Sequence, residues 1–457
     1  MRALFRIVRI ALVAAITVGA TFLTLQFARA YLSAPREALC SRCNVVLISV
    51  DTLGAKHTSV YDPALETTPF LKELADTRAV VFEHAYAQAP WGLPSHASMF
   101  TGEYPWKLGV AVPLDMLSES AFTLAEALKR KGYATAGFAN GSYVQPINGL
   151  TQGIDTFVGS YALADWNDMP LMAELAGAWV NARAESGEPF FLFLRPFQPH
   201  EPYGDLGAEG TITTKEIVDT NLAPGGPTEE DIERFRKAYY RELRAVDEGL
   251  RRFFAALDAS PHADDTIVII TGSNGEEFGE HGMVGVHDMG LHVEHLKVPL
   301  LIIVPRVAPA RILETVEVRG IPATVMDAIG FPNNPFEGAS LLPALSGSPE
   351  PNAIVLSRTA VTRDDLLTHT ADSNAHADAW GVTIWPHLSG GNSREPHAAS
   401  ALYGRWHAIR SFDGRISLYD LETDPAERQD IFPELDRLDT ADRGRVRELM
   451  ASLLLDS

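Results

Sequence analysis

An α/β fold is the class this sequence predicts: a large, mostly parallel sheet sandwiched by helices, with a small α+β subdomain at the C-terminus. Three observations carry it. Short, continuous apolar runs recur along the chain with helix-like segments between them, the pattern of strands buried on both faces and joined by crossover helices. Several runs end abruptly on Asp, His, Ser or Asn. After about residue 345 the composition shifts to Ser, Asn, Gly, His and Pro with weaker periodicity.

The elements follow in order. Asn44-Val45-Val46-Leu47-Ile48-Ser49-Val50 is a buried strand ending at Asp51. Residues 68–74 have helical spacing, and 79–82 form a short strand. A helix starts near Pro94, with Pro and Ser in its first turn, and runs to Phe100. Residues 122–131 read as an amphipathic helix, followed by a strand at 133–138. A second buried strand, 190–194, runs into Pro196-Phe197-Gln198-Pro199-His200-Glu201-Pro202-Tyr203, which is too rich in proline for helix or central strand. The longest helix spans 228–257, with Thr228 as N-cap and Glu229, Glu230 and Asp231 placed favourably for the helix dipole. Strands at 266–270 and 298–304 complete the sheet. Residues 407–410 and 416–419 read as strands of a small antiparallel unit, and 441–455 as a closing helix. The domain organisation is therefore 1–30 as a separate N-terminal segment, 31–43 as a linker, 44–345 as the α/β domain and 346–457 as the C-terminal subdomain.

The N-terminal segment carries Arg2, Arg6 and Arg9, then no charge from residue 10 to residue 28. That length suits a membrane span better than a signal-peptide core. Ala28-Arg29-Ala30 nevertheless resembles a cleavage site. Anchor and removed signal compete, length favours the anchor, and both put the bulk of the chain in the periplasm or outside the cell, because the basic flank stays inside. The net charge of −21 argues against a nucleic-acid partner, whose phosphates need a Lys/Arg surplus. The two cysteines, Cys40 and Cys43, read as a small local disulfide in an oxidising compartment, since two further ligands would be needed for zinc.

In an open α/β sheet, ligands bind at the carboxyl ends of the strands. Those ends here carry Asp51, His200, and Ser273-Asn274, with His281, His287, His292 and His295 further on. Asp and Asn oxygens suit a hard divalent cation, and His adds a ligand or proton donor. His292 and His295 read as ordinary surface or core histidines; for His281 the two readings balance. Trp91-Gly92-Leu93-Pro94-Ser95-His96 opens a helix, whose free N–H groups and dipole attract anions.

Taken together these segments resemble the sulfatase family of the alkaline phosphatase superfamily. The strand closing on Asp51-Thr52-Leu53 resembles that family's opening strand. Leu93-Pro94-Ser95-His96-Ala97-Ser98-Met99-Phe100-Thr101-Gly102 resembles its signature, in a Pro-Ser-His variant. Gly275-Glu276-Glu277-Phe278-Gly279-Glu280-His281-Gly282, Leu296-Lys297-Val298-Pro299-Leu300 and Leu418-Tyr419-Asp420-Leu421-Glu422-Thr423-Asp424-Pro425 resemble later motifs, so the similarity spans residues 44–457. The resemblance implies sulfate-ester hydrolysis at a divalent metal, usually calcium, with a formylglycine made from Cys or Ser as nucleophile. It implies that Asp51, with the residues at 273 and 274, holds the metal, and that His96, His200 and His287 surround the ester. It implies a sulfate- or phosphate-ester ligand.

Two positions depart from the pattern. Gly92 stands at the nucleophile position, where no side chain exists to attack or to be converted to formylglycine. Ser273 stands where a metal-binding Asp is expected, leaving Asn274 as the second member of the pair; a neutral hydroxyl is a poor ligand for a hard cation. The expectation is a degenerate sulfatase-like protein acting in ligand or partner binding. The alternative is an active sulfuric or phosphoric ester hydrolase using a non-standard nucleophile or a metal-bound water.

Overall fold

The structure is a computed structural model that describes residues 38–159, 169–183, 186–204, 210–348, 352–361 and 398–455. The N-terminal anchor or signal at 1–30 lies outside the described residues. Among the described residues, no helix is long and apolar enough to cross a membrane.

The central sheet has eight strands in the order β10-β2-β9-β6-β1-β5-β3-β4. They are β1 Asn44–Val50, β2 Val80–Tyr86, β3 Ala134–Ala139, β4 Thr156–Gly159, β5 Phe190–Arg195, β6 Thr266–Gly272, β9 Lys297–Ile303 and β10 Ala310–Glu317. β1 runs parallel to both β5 and β6, and β3 parallel to both β4 and β5. β9 alone runs against its neighbours, β2 and β6. The apolar run at 298–304 is thus antiparallel, because a strand buried on both faces looks the same in either direction. β10 was not legible as a strand: its half-exposed sequence lies at the sheet edge beside β2.

Alternation along β1 splits the core. Val45 and Leu47 join one apolar cluster, and Val46, Ile48 and Val50 join the other on the opposite face. The first face is covered by helices α2 Gly92–Thr101, α3 Leu124–Lys129 and α7 Ile321–Ala328; the second by α1 Pro69–Thr77, α4 Met169–Asn181, α5 Thr214–Leu222 and α6 Glu229–Asp258. In α6 the buried residues Phe235, Tyr239, Leu243, Val246, Leu250, Phe253 and Leu257 recur every three or four positions, so one stripe faces the sheet. The helix begins as expected, with a reciprocal capping box between Thr228 and Asp231. α3 is shorter than the 122–131 reading, because Thr123 caps it through Glu126 and starts it two residues later.

The end of the stretch read as a linker is docked. Cys40 and Cys43 are disulfide-bonded and buried; the Cys40 amide donates to Ala328 O at 3.0 Å, and Tyr133 donates to Cys43 O at 2.9 Å. A small hairpin, β7 Glu277–Phe278 with β8 Val284–Val286, follows β6. The C-terminal unit is an antiparallel sheet, β11 Val355–Thr359, β12 Ala398–Tyr403, β13 Trp406–Arg410 and β14 Ile416–Asp420. Helix α8 Thr440–Leu455 packs on one face through Val446, Leu449 and Leu453. The other face meets Tyr86, Leu291 and Leu296 of the α/β domain.

Candidate active site

The carboxyl ends of β1, β5 and β6 converge. Asp51 follows β1, Ser273 and Asn274 follow β6, and all three are buried. The turn after β1 is held in an uncommon conformation: Thr52 has φ of +47°, costly for a β-branched residue. Its carbonyl accepts from the Tyr239 hydroxyl of α6 at 2.7 Å, and its amide donates back to Asp51 Oδ1 at 3.2 Å. The Ser273 hydroxyl lies 2.7 Å from both Asp51 Oδ1 and Asn274 Oδ1, two acceptors competing for one proton.

The principal partner of Asp51 is Arg195, the last residue of β5. Its Nη2 donates to Asp51 Oδ2 and its Nη1 to Asn140 O after β3. Its guanidinium stands 5.1 Å from the Phe197 ring centroid. Burial alone would push the Asp51 carboxyl up. Arg195, followed by His200, more than offsets this and carries it down to about 2. The sequence motifs do not mark Arg195 as a site residue. The available signal was a charged residue closing an otherwise wholly apolar strand, Phe190–Arg195.

Gly92 is the first residue of α2, two positions earlier than the reading near Pro94. A side chain there would project toward the same centre: a Cβ would lie 3.3 Å from Arg195 Nη2, 3.7 Å from Tyr143 Cδ2 and 3.8 Å from Asp51 Oδ1. Four residues on, His96 is fully enclosed. Its Nδ1 donates to Gly92 O at 2.6 Å, which leaves Nε2 to accept from the Ser49 hydroxyl at 3.0 Å. Burial, with Arg195 second, lowers its pKa to about 4, so His96 is a neutral strut beneath the helix start. The hydroxyls nearest Gly92 in sequence are occupied: Ser95 donates to Ser273 O and Ser98 to Glu103 O at 2.6 Å.

His200 and His287 do come together, with ring centroids 5.0 Å apart. His200 stacks on Phe197 and places Nδ1 3.0 Å from a Glu201 carboxylate oxygen. His287 faces Glu276 through Nδ1 at 3.2 Å and Asp288 through Nε2 at 3.1 Å. Burial works against charge on both rings. For His200 the Glu201 carboxylate outweighs it; for His287, Asp288 and Glu276 do, and both pKa values are raised. His281, His292 and His295 turn elsewhere. His281 stacks on His292 and bonds Glu294, His292 bonds Glu427, and His295 faces Glu277.

The divalent metal that sulfatases generally use can be tested against these donors. Of Asp51, Ser273 and Asn274 only one is anionic, and both of its oxygens already have donors, one of them a cation. Hard cations are held by several anionic or carbonyl oxygens. These residues do not fit the group.

A family model described as Sulfatase matches residues 43–331, more than half of the chain. The chain belongs to the sulfatase family, within the alkaline phosphatase superfamily, whose reaction is the hydrolysis of sulfate esters. It is 24% identical over 450 residues to the ulvan-active sulfatase of Formosa agariphila, covering 90% of this chain and 81% of that one. It is 24% identical over 370 residues to the choline-sulfatase of Rhizobium meliloti, covering 66% and 72%. Its fold is similar to that of the phosphonate monoester hydrolase of Agrobacterium radiobacter, with a TM-score of 0.68, 21% identity and coverage of 91% and 96%.

Proposed function

We propose that this chain uses the sulfatase architecture to bind a sulfate- or phosphate-ester ligand and does not turn it over. The observation that carries this is Gly92 at the start of α2, where covalent catalysis requires a side chain that glycine lacks. The hydroxyls of Ser95 and Ser98 are engaged with backbone carbonyls and do not substitute for it. His200, whose Nδ1 lies 3.0 Å from the Glu201 carboxylate that raises its pKa and whose ring stands 5.0 Å from that of His287, is the donor we assign to the ligand's anionic oxygens, through Nε2. The active-hydrolase reading keeps one observation in its favour, the pairing of those two rings beside Asp51.

The test is steady-state assay of the purified full-length chain against 4-nitrophenyl sulfate, phosphate and phenylphosphonate. No multiple turnover is expected, and His200→Ala should match the wild type. Turnover that disappears in His200→Ala would establish the hydrolase reading instead. We also place the folded domain outside the cytoplasm, a placement supported by the uncharged run at 10–28 and the Cys40–Cys43 disulfide. Protease added to spheroplasts, whose inner membrane is intact, should then degrade it; protection until the inner membrane is lysed contradicts the placement.

A further inference from the structure

We infer that Arg195 is a built-in cation that takes the place of a divalent metal at Asp51. Three observations meet on this one side chain. First, its Nη2 bonds the one carboxylate among the three residues that the family resemblance assigns to the metal, while the Ser273 hydroxyl takes that carboxylate's other oxygen. The charge a dication would neutralise is already neutralised, and a second cation brought to Asp51 would meet the guanidinium at close range. Second, Arg195 is completely buried and held from both sides, by Asn140 O through Nη1 and by the Phe197 ring beneath. It is a fixed part of the strand end and not a surface arginine folded inward. Third, Nη2 stands 3.3 Å from where a Cβ on Gly92 would be, tighter than ordinary van der Waals contact. The guanidinium thus closes the space between residue 92 and Asp51, the space that a nucleophile and its metal would share. The two sequence departures, Gly92 and Ser273, become one arrangement. A small residue at 92 leaves room for Arg195, and Arg195 removes the need for a second carboxylate at 273.

A close-packed interior has room for one such arrangement at a time, so the Asp51 site should be complete without metal. The inference goes beyond absence of turnover. Metal content and melting temperature read it, whereas ester assays read the proposed function, so either can fail alone.

The experiment is to purify the full-length chain without chelator. Bound calcium, magnesium, manganese and zinc are quantified in the wild type and in Asp51→Asn. Melting is then followed with EDTA and with millimolar calcium or manganese. A metal held by the folded state raises its melting temperature. The expectation is no metal that depends on Asp51: equal metal content in wild type and Asp51→Asn, and no melting shift with either addition that the wild type shows and Asp51→Asn lacks. Arg195→Ser, which frees Asp51, should melt lower than wild type and recover part of the loss on addition of calcium or manganese. If Arg195→Ser does not fold, the double variant Asp51→Asn/Arg195→Met removes both charges together and should melt above either single variant. Near-stoichiometric metal in the wild type that disappears in Asp51→Asn overturns the inference. So does a double variant no more stable than the singles, since Arg195 and Asp51 would then not act as a pair.

Discussion

At the scale of single residues, this protein is set by side chains whose neighbours decide their charge. Asp51 and Arg195 are both enclosed, and separating a buried pair of this kind typically costs about 3–5 kcal/mol, because the remaining charge has no solvent. His57 shows the opposite case, a ring kept neutral. It is buried between Tyr239, Tyr240 and Phe278. Burial first, and Lys56 second, lower its pKa to about 3. The sign follows from linkage. Above its unfolded value near 6.5 the ring is neutral in both states and carries no pH dependence. As pH falls below that value the unfolded chain takes up a proton that the folded chain refuses, so stability drops by about 1.4 kcal/mol per pH unit until the folded pKa is reached. Chemical denaturation of the wild type and His57→Phe between pH 7 and about 4 should show a shallower decline in the variant. Equal slopes would mean that His57 does not titrate in this way.

At the scale of elements, helix starts are secured in two ways, by local caps and by distant ones. The exposed N-terminus of α6 is secured by the Thr228–Asp231 box, with three acids in its first turn. Replacing Thr228 by Ala should lower the unfolding free energy by about 1 kcal/mol with an unchanged denaturant slope. A loss well above that would show that the cap also positions neighbouring structure. The start of α1 works differently. The hydroxyl of its cap residue Thr68 makes no bond to the helix start and accepts from the Ser59 amide at 2.9 Å; instead Asp247 of α6 accepts from the Phe70 and Leu71 amides at 2.8 and 2.9 Å. That cap comes from 177 residues away in the chain. A local capping rule cannot reveal it.

At the scale of the whole molecule, the C-terminal sheet is joined to the α/β domain by an apolar face and one polar knot. Tyr86, Leu291 and Leu296 meet Val355, Leu402, Ile409 and Tyr419. Beside them Glu427 accepts from the Val293 amide at 2.8 Å, pairs with His292 at 3.1 Å and binds His407 of β13. Burial raises the Glu427 carboxyl, but His407 and His292 outweigh it and hold it well below the usual range. Glu427→Gln retains the shape and removes the charge. It should expose residues 398–455 to limited proteolysis while leaving the α/β domain protected, at a cost of roughly 1–3 kcal/mol. Simultaneous cleavage of both units would mean that the knot stabilises the protein as one cooperative body.

Much of this was legible in the chain itself, and the reason is local. A short, mostly apolar and β-branched run such as Val45–Val50 suits a buried strand, the stripe from Phe235 to Leu257 suits a helix facing a core, and Thr228 with Asp231 suits a helix cap. The absence of a side chain at Gly92 and of a carboxylate at Ser273 is equally a property of the sequence. Direction and partnership were not legible. An apolar strand carries no mark of running antiparallel, so β9 was decided only by its place between β2 and β6. Nor does a single Arg after five apolar residues reveal that it will meet a carboxylate 144 positions away. Charges acquire their values from distance and burial, and the tertiary structure alone brought Arg195, Asp51 and Gly92 to one point.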